Sequence, residues 1–94
     1  MKNPKISIII VHYKVKSDLF ECIDSIYKKI KNVSFEIIVV DNSEKDTISK
    51  DLMRKFKNLV YINSETNLGY SGGNNLGTSH AKGEFIFFLN PDTV

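Results

Sequence analysis

Four short stretches of the chain are almost wholly apolar, and polar residues follow them. They cover residues 5–12, 35–40, 59–62 and 84–89, and they are rich in Ile, Val and Phe. Short, β-branched and nearly continuous apolar runs are typical of strands that are covered on both faces of a parallel sheet. The pattern therefore predicts four strands.

Between the first three of these stretches, apolar residues recur at the spacing of a helix. The first intervening segment has a five-residue stripe: Leu19, Ile23, Ile26, Tyr27 and Ile30. At its start, Asp18 with Glu21 three residues later resembles a capping box. A second helix is predicted over residues 47–57, with one apolar face: Ile48, Leu52, Met53 and Phe56.

The third intervening segment, residues 63–84, has a loop-like composition rich in Gly, Asn and Ser. Its second half, residues 71–82, is predicted as a helix capped by Gly83. Gly72, Gly73 and Gly77 weaken that prediction, because glycine is a poor helix former. The glycines either let the backbone approach a ligand or permit close packing against the sheet, and both interpretations fit the sequence.

Alternation of strands and helices at these lengths indicates βαβ units with right-handed crossovers. We therefore expect a Rossmann-like α/β fold with a mostly parallel sheet of about four strands and flanking helices. Residues 1–94 contain no repeat, low-complexity tract or linker, so they are predicted to form one domain.

The charge of the chain excludes some classes of partner. A net charge of +2 is too small and too scattered for a nucleic-acid groove. Lysines cluster at positions 28, 29 and 31 and again at 55 and 57. They fit the solvated ends of helices, and a patch for acidic lipid or polymer is the alternative.

The chain has one cysteine, Cys22, and therefore no internal disulfide. No secretory signal and no apolar segment of membrane-spanning length is present. The expectation is a cytoplasmic protein, with peripheral association at a membrane left open.

Polar residues follow three of the predicted strands. They are His12-Tyr13 after the first, Asp41-Asn42 after the second and Asn90-Pro91-Asp92 after the fourth. In open parallel sheets, ligands bind outside the carboxyl ends of the strands. These residues are therefore predicted to converge on one binding crevice.

Several common chemistries do not fit the motifs. The glycine-rich run from Gly69 to Gly77 is neither G-x-G-x-x-G nor a P-loop, and it follows the third strand instead of the first. No spaced histidine pair favours zinc, and no G-x-S-x-G elbow favours a serine hydrolase. Flavodoxin-like and receiver-like folds would need a flavin loop or an acidic cluster that the sequence lacks.

Two carboxylates remain as candidates at strand ends. Asp41 either accepts turn amides or accepts hydrogen bonds from a base or a sugar. Asp92 follows Pro91 on a rigid turn and suits a hard divalent cation, although Asn-Pro-Asp-Thr is also a plain turn sequence.

The successive blocks ISIIIVHYK, FEIIVVDNSEKD and ETNLGYSGGNNLGTSHAKGEFIFFLNPDTV resemble the N-terminal half of a family-2 glycosyltransferase. The resemblance extends over residues 5–94 and is most similar to a rhamnosyltransferase-like subgroup. It implies the A-type fold, with a nucleotide-diphospho-sugar donor at the strand ends.

The resemblance also implies roles for individual residues. Val11 and Tyr13 would flank the base, and Asp41 would hydrogen-bond a uracil or a thymine. The remaining implied donor-binding residues are Gly69, Gly72, Gly73 and Asn90. Asp92 matches the second acid of the metal motif for Mg²⁺ or Mn²⁺, whereas Asn90 replaces the first acid.

The activity implied by the resemblance is transfer of a sugar from a UDP- or dTDP-sugar to an acceptor hydroxyl with inversion, in polysaccharide synthesis. The acceptor would be a saccharide or a lipid-linked sugar, and the general base would lie in the C-terminal half. The chain is thus expected to be a catalytically incomplete fragment; a non-catalytic or vestigial nucleotide-binding module is the alternative. Exposed aromatic residues at Phe85–Phe88 are expected to cause self-association.

Overall fold

The computed structural model describes residues 3–14, 16–56 and 58–89, in which strands and helices alternate. The elements in chain order are β1 (Ile6–His12), α1 (Lys16–Lys29), β2 (Phe35–Asp41), α2 (Ser49–Lys55), β3 (Leu59–Asn63), α3 (Gly69–His80) and β4 (Phe85–Leu89). The four strands lie parallel in one sheet, in the order β3-β2-β1-β4. The predicted α/β class and the four-stranded parallel sheet are confirmed.

The two central strands are buried on both faces, as their continuous apolar character predicts. On one face, Ile8 and Ile10 of β1 join a large cluster with Leu19 and Ile23 of α1 and Leu52 of α2. On the other face, a smaller cluster lies beneath α3, and it contains Ile9, Ile38 and Val40. The sheet is thus a layer between helices, as parallel sheets require.

The first helix begins earlier than the predicted capping box. It starts at Lys16, so Asp18 lies within its first turn and not at the N-cap position. The carboxylate of Asp18 therefore adds negative charge near the positive end of the helix dipole instead of capping it. The capping-box prediction is wrong in this respect.

The second helix is shorter than the predicted range of 47–57. The Asp46 carboxylate accepts hydrogen bonds from the backbone N–H groups of Ile48 and Ser49, which holds the chain in a turn until the helix begins at Ser49. Phe56 has an extended backbone and ends the helix. Met53, predicted on the apolar face, is 50% exposed, so that assignment is wrong.

The third helix lies two residues earlier than predicted, and Gly83 does not cap it. The helix ends at His80, and Ala81 is its C-cap residue. Gly83 instead packs against β1, where its N–H donates to Ser7 Oγ at 2.7 Å. The Ser7 hydroxyl in turn donates to Glu36, which also accepts the N–H of Lys82. These partly buried hydrogen bonds direct the chain from the end of α3 into β4.

Two glycines let α3 approach the sheet. A Cβ at Gly77 would lie 2.6 Å from Ile9 Cγ2, and a Cβ at Gly73 would lie 2.8 Å from Val11 Cγ1. Real Cβ atoms do not come so close to other carbon atoms, so larger residues would push the helix away. Close packing therefore explains the glycines at 73 and 77.

The strand β4 lies at one edge of the sheet and pairs with β1. Four of its side chains are large, apolar and exposed: Phe85 (51%), Ile86 (37%), Phe87 (54%) and Phe88 (48%). The predicted exposure of aromatic residues on this strand is confirmed. An exposed apolar edge of this kind favours pairing with another chain.

Candidate functional site

The register of the sheet brings three strand ends to the same level. His12 at the end of β1 lies opposite Asp41 at the end of β2, and Asp41 lies opposite Asn63 at the end of β3. We call this end of the sheet, formed by the last residues of β1, β2 and β3, the carboxyl edge. It carries an imidazole, a carboxylate and an amide in neighbouring positions. The predicted convergence of His12 and Asp41 is observed.

Asp41 is the central group of this edge and is only 1% exposed. Its Oδ1 accepts the backbone N–H of Ser43 at 3.0 Å, and its Oδ2 accepts the hydroxyl of Tyr61 at 2.6 Å. The turn-stabilising role considered for Asp41 is therefore present. A carboxylate offers about four lone-pair sites, so two hydrogen bonds leave acceptor capacity for a ligand.

Asn42 links three segments around the same edge. Its backbone N–H donates to the carbonyl of His12 at 2.8 Å. Its side-chain Nδ2 donates to the Gly69 carbonyl at 3.0 Å, and its Oδ1 accepts the Ser64 hydroxyl at 3.0 Å. Asn42 thereby fixes the start of α3 relative to the ends of β1 and β2.

Tyr13 extends beyond β1 with 42% of its surface exposed, so its ring is accessible to a planar ligand. The Lys14 ammonium lies 5.0 Å from the centre of this ring. Lys14 has a left-handed backbone with φ of 58°, an uncommon conformation for a lysine. Val11 does not share this exposure, because it is partly buried against Gly73.

The other predicted glycines lie at the start of α3. Gly69 has a φ of 75°, a Cβ at this position would have no neighbouring atom within 4 Å, and its N–H donates to Asn67 Oδ1 at 2.8 Å. A Cβ at Gly72 would lie 2.8 Å from Leu68 Cβ. Gly69 is thus needed for its backbone conformation. The role of these glycines in lining a donor site stays a prediction.

Comparison with known proteins decides the family. The model of the family described as glycosyl transferase family 2 matches residues 7–94, which include every helix and strand described above except Ile6, the first residue of β1. The chain belongs to this family. The strand-end site of this family member lies where ligands bind in open parallel sheets.

One relative is the low-salt glycan biosynthesis hexosyltransferase Agl10 of Haloferax volcanii. It is 38% identical over 91 residues, which are 93% of this chain and 27% of the relative. The chain therefore spans about a quarter of that protein's length.

Solved structures share the fold. The structure of S. aureus TarS 1–349 in complex with UDP is 32% identical with a TM-score of 0.77; the match covers 94% of this chain and 27% of that one. A mannosyltransferase from Pyrobaculum calidifontis, solved with GDP-Man and Mn²⁺, has a TM-score of 0.78 at 20% identity. That match covers 98% of this chain and 28% of the other. At this identity, the likeness shows the fold alone.

The buried imidazole of His12 is the unusual electrostatic feature of the site. His12 is 2% exposed, and its Nδ1 has no hydrogen-bond partner among the described residues. Burial lowers the pKa of His12, and the charge of Asp41 opposes that shift in part. The imidazole is therefore neutral in the folded chain at neutral pH.

We expect His12 to make the chain less stable in mild acid. The unfolded chain takes up a proton on His12 below about pH 6.5, whereas the folded chain resists it, so the free energy of unfolding falls as the pH drops through this range. At pH 5.0 the loss from this residue is at most about 2 kcal/mol. Urea unfolding between pH 5 and 8 measures it.

The matched variants for this prediction are His12→Gln and His80→Gln. The first should flatten the dependence of stability on pH, and the second, at an exposed position on α3, should leave it in place. Equal pH dependence of the wild-type chain and His12→Gln would contradict the prediction.

The predicted donor residue Asn90 and the predicted metal ligand Asp92 lie outside the described residues. Within residues 3–14, 16–56 and 58–89, no group of three His, Cys, Asp or Glu side chains is placed to hold a metal ion. In the same part of the chain, none of the helices has the length and apolar character needed to cross a membrane.

Asn42 lies at the site as predicted from its place after the second strand, whereas two other contributors, Tyr61 and Ser64, were not predicted. Tyr61 is the polar residue in the strand Leu-Val-Tyr-Ile, and it lies two residues after buried Leu59, on the same face. Side chains alternate between the two faces of a strand, so Tyr61 shares the buried face of Leu59. A polar hydroxyl on a buried face is a signal that the sequence alone contains. Ser64 gave no such signal, because its contacts depend on the path of the loop after β3.

Proposed function

We propose that this chain is the donor-binding part of a glycosyltransferase that uses a UDP- or dTDP-sugar. The base would bind at the carboxyl edge of the sheet, against the exposed ring of Tyr13 and with Asp41 as hydrogen-bond acceptor. Val11 would flank the base together with Tyr13, and the loop at Gly69, Gly72 and Gly73 would lie near the rest of the donor.

The observation that carries the proposal is that Asp41 and Tyr13 lie at the ends of two adjacent strands, β2 and β1. A fixed carboxylate supplies hydrogen-bond acceptors for a base, and an accessible aromatic ring supplies a stacking surface. Because Asp41 is buried, a base reaches its free lone pairs only when the residues that cover it move. The 32% identity to TarS, whose structure was solved with UDP, supports a uracil nucleotide.

The proposal extends to the reaction of the full-length enzyme. Transfer would proceed with inversion to a hydroxyl of a saccharide or lipid-linked acceptor, in the synthesis of a surface polysaccharide on the cytoplasmic side. Mg²⁺ or Mn²⁺ would assist by neutralising the leaving diphosphate, with Asp92 as the proposed ligand. A rhamnosyltransferase-like specificity remains part of this proposal on the strength of the Asn-Leu-Gly-Tyr-Ser-Gly-Gly-Asn-Asn run.

A second candidate function is nucleotide binding without sugar transfer. The chain spans 27% of the length of the hexosyltransferase relative, so sugar transfer by this chain is itself a proposal. Sugar transfer by the 94-residue chain alone would exclude this alternative.

Calorimetric titration tests the proposed function. UDP and dTDP are titrated separately into the chain in the presence of Mn²⁺, and one of them is expected to bind with saturable heat. The absence of heat with both nucleotides would contradict the proposal.

We also propose that the isolated chain self-associates through β4. The exposed strand edge and the three phenylalanines at 85, 87 and 88 offer hydrogen bonds and apolar surface to a second copy. Light scattering should show a mass that rises with concentration, and Phe87→Lys should lower it toward that of a monomer. A monomeric wild-type chain at high concentration would refute this.

A further inference from the structure

A partly buried tyrosine hydroxyl lies beside two carboxylates near the carboxyl edge of the sheet. Tyr61, in β3, donates its hydroxyl hydrogen to Asp41 Oδ2 at 2.6 Å, and the same hydroxyl also interacts with Asp46. The ring packs against the larger core cluster. A phenylalanine would fill the same space without burying a polar atom, so packing alone does not explain the hydroxyl.

The hydroxyl of Tyr61 has a defined direction. Asn63 Nδ2 donates to its oxygen at 3.3 Å, which leaves the hydroxyl hydrogen for Asp41. Burial, together with the hydrogen bond to Asp41, raises the pKa of Tyr61. The hydroxyl therefore keeps its proton at neutral pH and acts toward Asp41 as a donor.

Two donors on different oxygens fix the carboxylate of Asp41. The Ser43 N–H contacts Oδ1 and the Tyr61 hydroxyl contacts Oδ2, so rotation about the Cβ–Cγ bond would break both hydrogen bonds. Hydrogen bonds to an ionised group are stronger than those between neutral groups. The remaining lone pairs of Asp41 consequently have a fixed orientation.

We propose that Tyr61 is a positioning residue that aims Asp41 at the base of the donor nucleotide and so favours uracil over cytosine. The inference rests on the proposed function, because it requires that Asp41 receives the base. Uracil carries a hydrogen on N3, whereas cytosine carries a lone pair there. A fixed acceptor facing N3 attracts the first base and repels the second, whereas a mobile carboxylate discriminates less.

The test compares the affinities for UDP and CDP by calorimetry in four proteins: the wild-type chain, Tyr61→Phe, Asp41→Asn and the double variant. Tyr61→Phe should weaken UDP binding roughly fivefold to twentyfold and lower the UDP-to-CDP preference by a similar factor. In the Asp41→Asn background, Tyr61→Phe should have no further effect on the preference, because Tyr61 acts through Asp41.

Tyr27→Phe is the matched control, since it removes a tyrosine hydroxyl from α1 and should leave the preference unchanged. Asn63→Ala provides a second variant if Tyr61→Phe folds poorly. It removes the amide that orients the Tyr61 hydroxyl, and it should lower the preference by a smaller factor in the same direction.

The outcomes separate the inference from the proposed function. If Asp41→Asn lowers the preference while Tyr61→Phe lowers only the melting temperature, Tyr61 is merely structural and the inference is overturned. If Asp41→Asn changes neither affinity nor preference, the base contact itself is absent and the proposed function fails with it. No binding of UDP by the wild-type chain would also overturn both.

Discussion

Replacing Asp41 by alanine is expected to weaken UDP binding tenfold to a hundredfold. The change removes a charge-assisted hydrogen bond to the base, and such bonds contribute about 1.5–3 kcal/mol. It also removes the acceptor of the Ser43 N–H and of the Tyr61 hydroxyl. Calorimetric titration of UDP into the wild-type chain and the variant measures the difference.

The control for this variant is Asp24→Asn. Asp24 lies on α1, where its carboxylate pairs with Lys28 at 3.0 Å, and its replacement also removes one negative charge. UDP affinity should be unchanged in this control. Equal affinities of Asp41→Ala and the wild-type chain would show that Asp41 is only a turn-stabilising residue.

Replacing Gly83 by alanine is expected to destabilise the chain by about 3 kcal/mol. A Cβ at this position would lie 2.5 Å from the backbone nitrogen of Ser7 and 2.8 Å from the carbonyl carbon of Ile6. Both atoms belong to the main chain at the start of β1, so neither moves without disturbing the pairing of β1 with β4. Thermal unfolding should show a melting temperature lower by more than about 10 °C.

The neighbouring variant Lys82→Ala separates this steric effect from a general effect of alanine in the loop. Lys82 is exposed, and only its backbone N–H contacts Glu36. We expect its replacement to change the stability by less than about 0.5 kcal/mol. A similar melting temperature for Gly83→Ala and the wild-type chain would mean that the loop does not pack on β1 as described.

The strands followed from the hydrophobic pattern, because apolar runs bounded by polar residues mark buried strands. Their parallel arrangement followed from the alternation of strands and helices. The helix ends did not follow, because contacts distant in the sequence determine them. Local rules favoured Gly83 as a helix cap, yet its N–H donates a hydrogen bond to Oγ of Ser7, 76 residues away in the sequence. Asp46, similarly, shortens α2 by accepting the N–H groups of Ile48 and Ser49.

The site was predicted only in part, again because some of its contacts join residues that are distant in the sequence. Asp41 and Tyr13 stand at strand ends, where the sequence alone indicates a binding edge. The fixed orientation of Asp41 depends on Tyr61, which is 20 residues further along the chain and reaches Asp41 only because β3 pairs with β2. Close packing of Gly73 on Val11 likewise depends on how α3 lies across the sheet.

An NMR titration with UDP and Mg²⁺ tests most directly whether the carboxyl edge of this sheet binds the nucleotide. Amide signals of residues 12–14, 41–43 and 64–73 should shift on binding. Those of residues 30–35, at the amino ends of the strands, should stay in place. Shifts confined to the amino ends of the strands, or no shifts at saturating UDP, would contradict the assignment of this chain as a donor-binding domain.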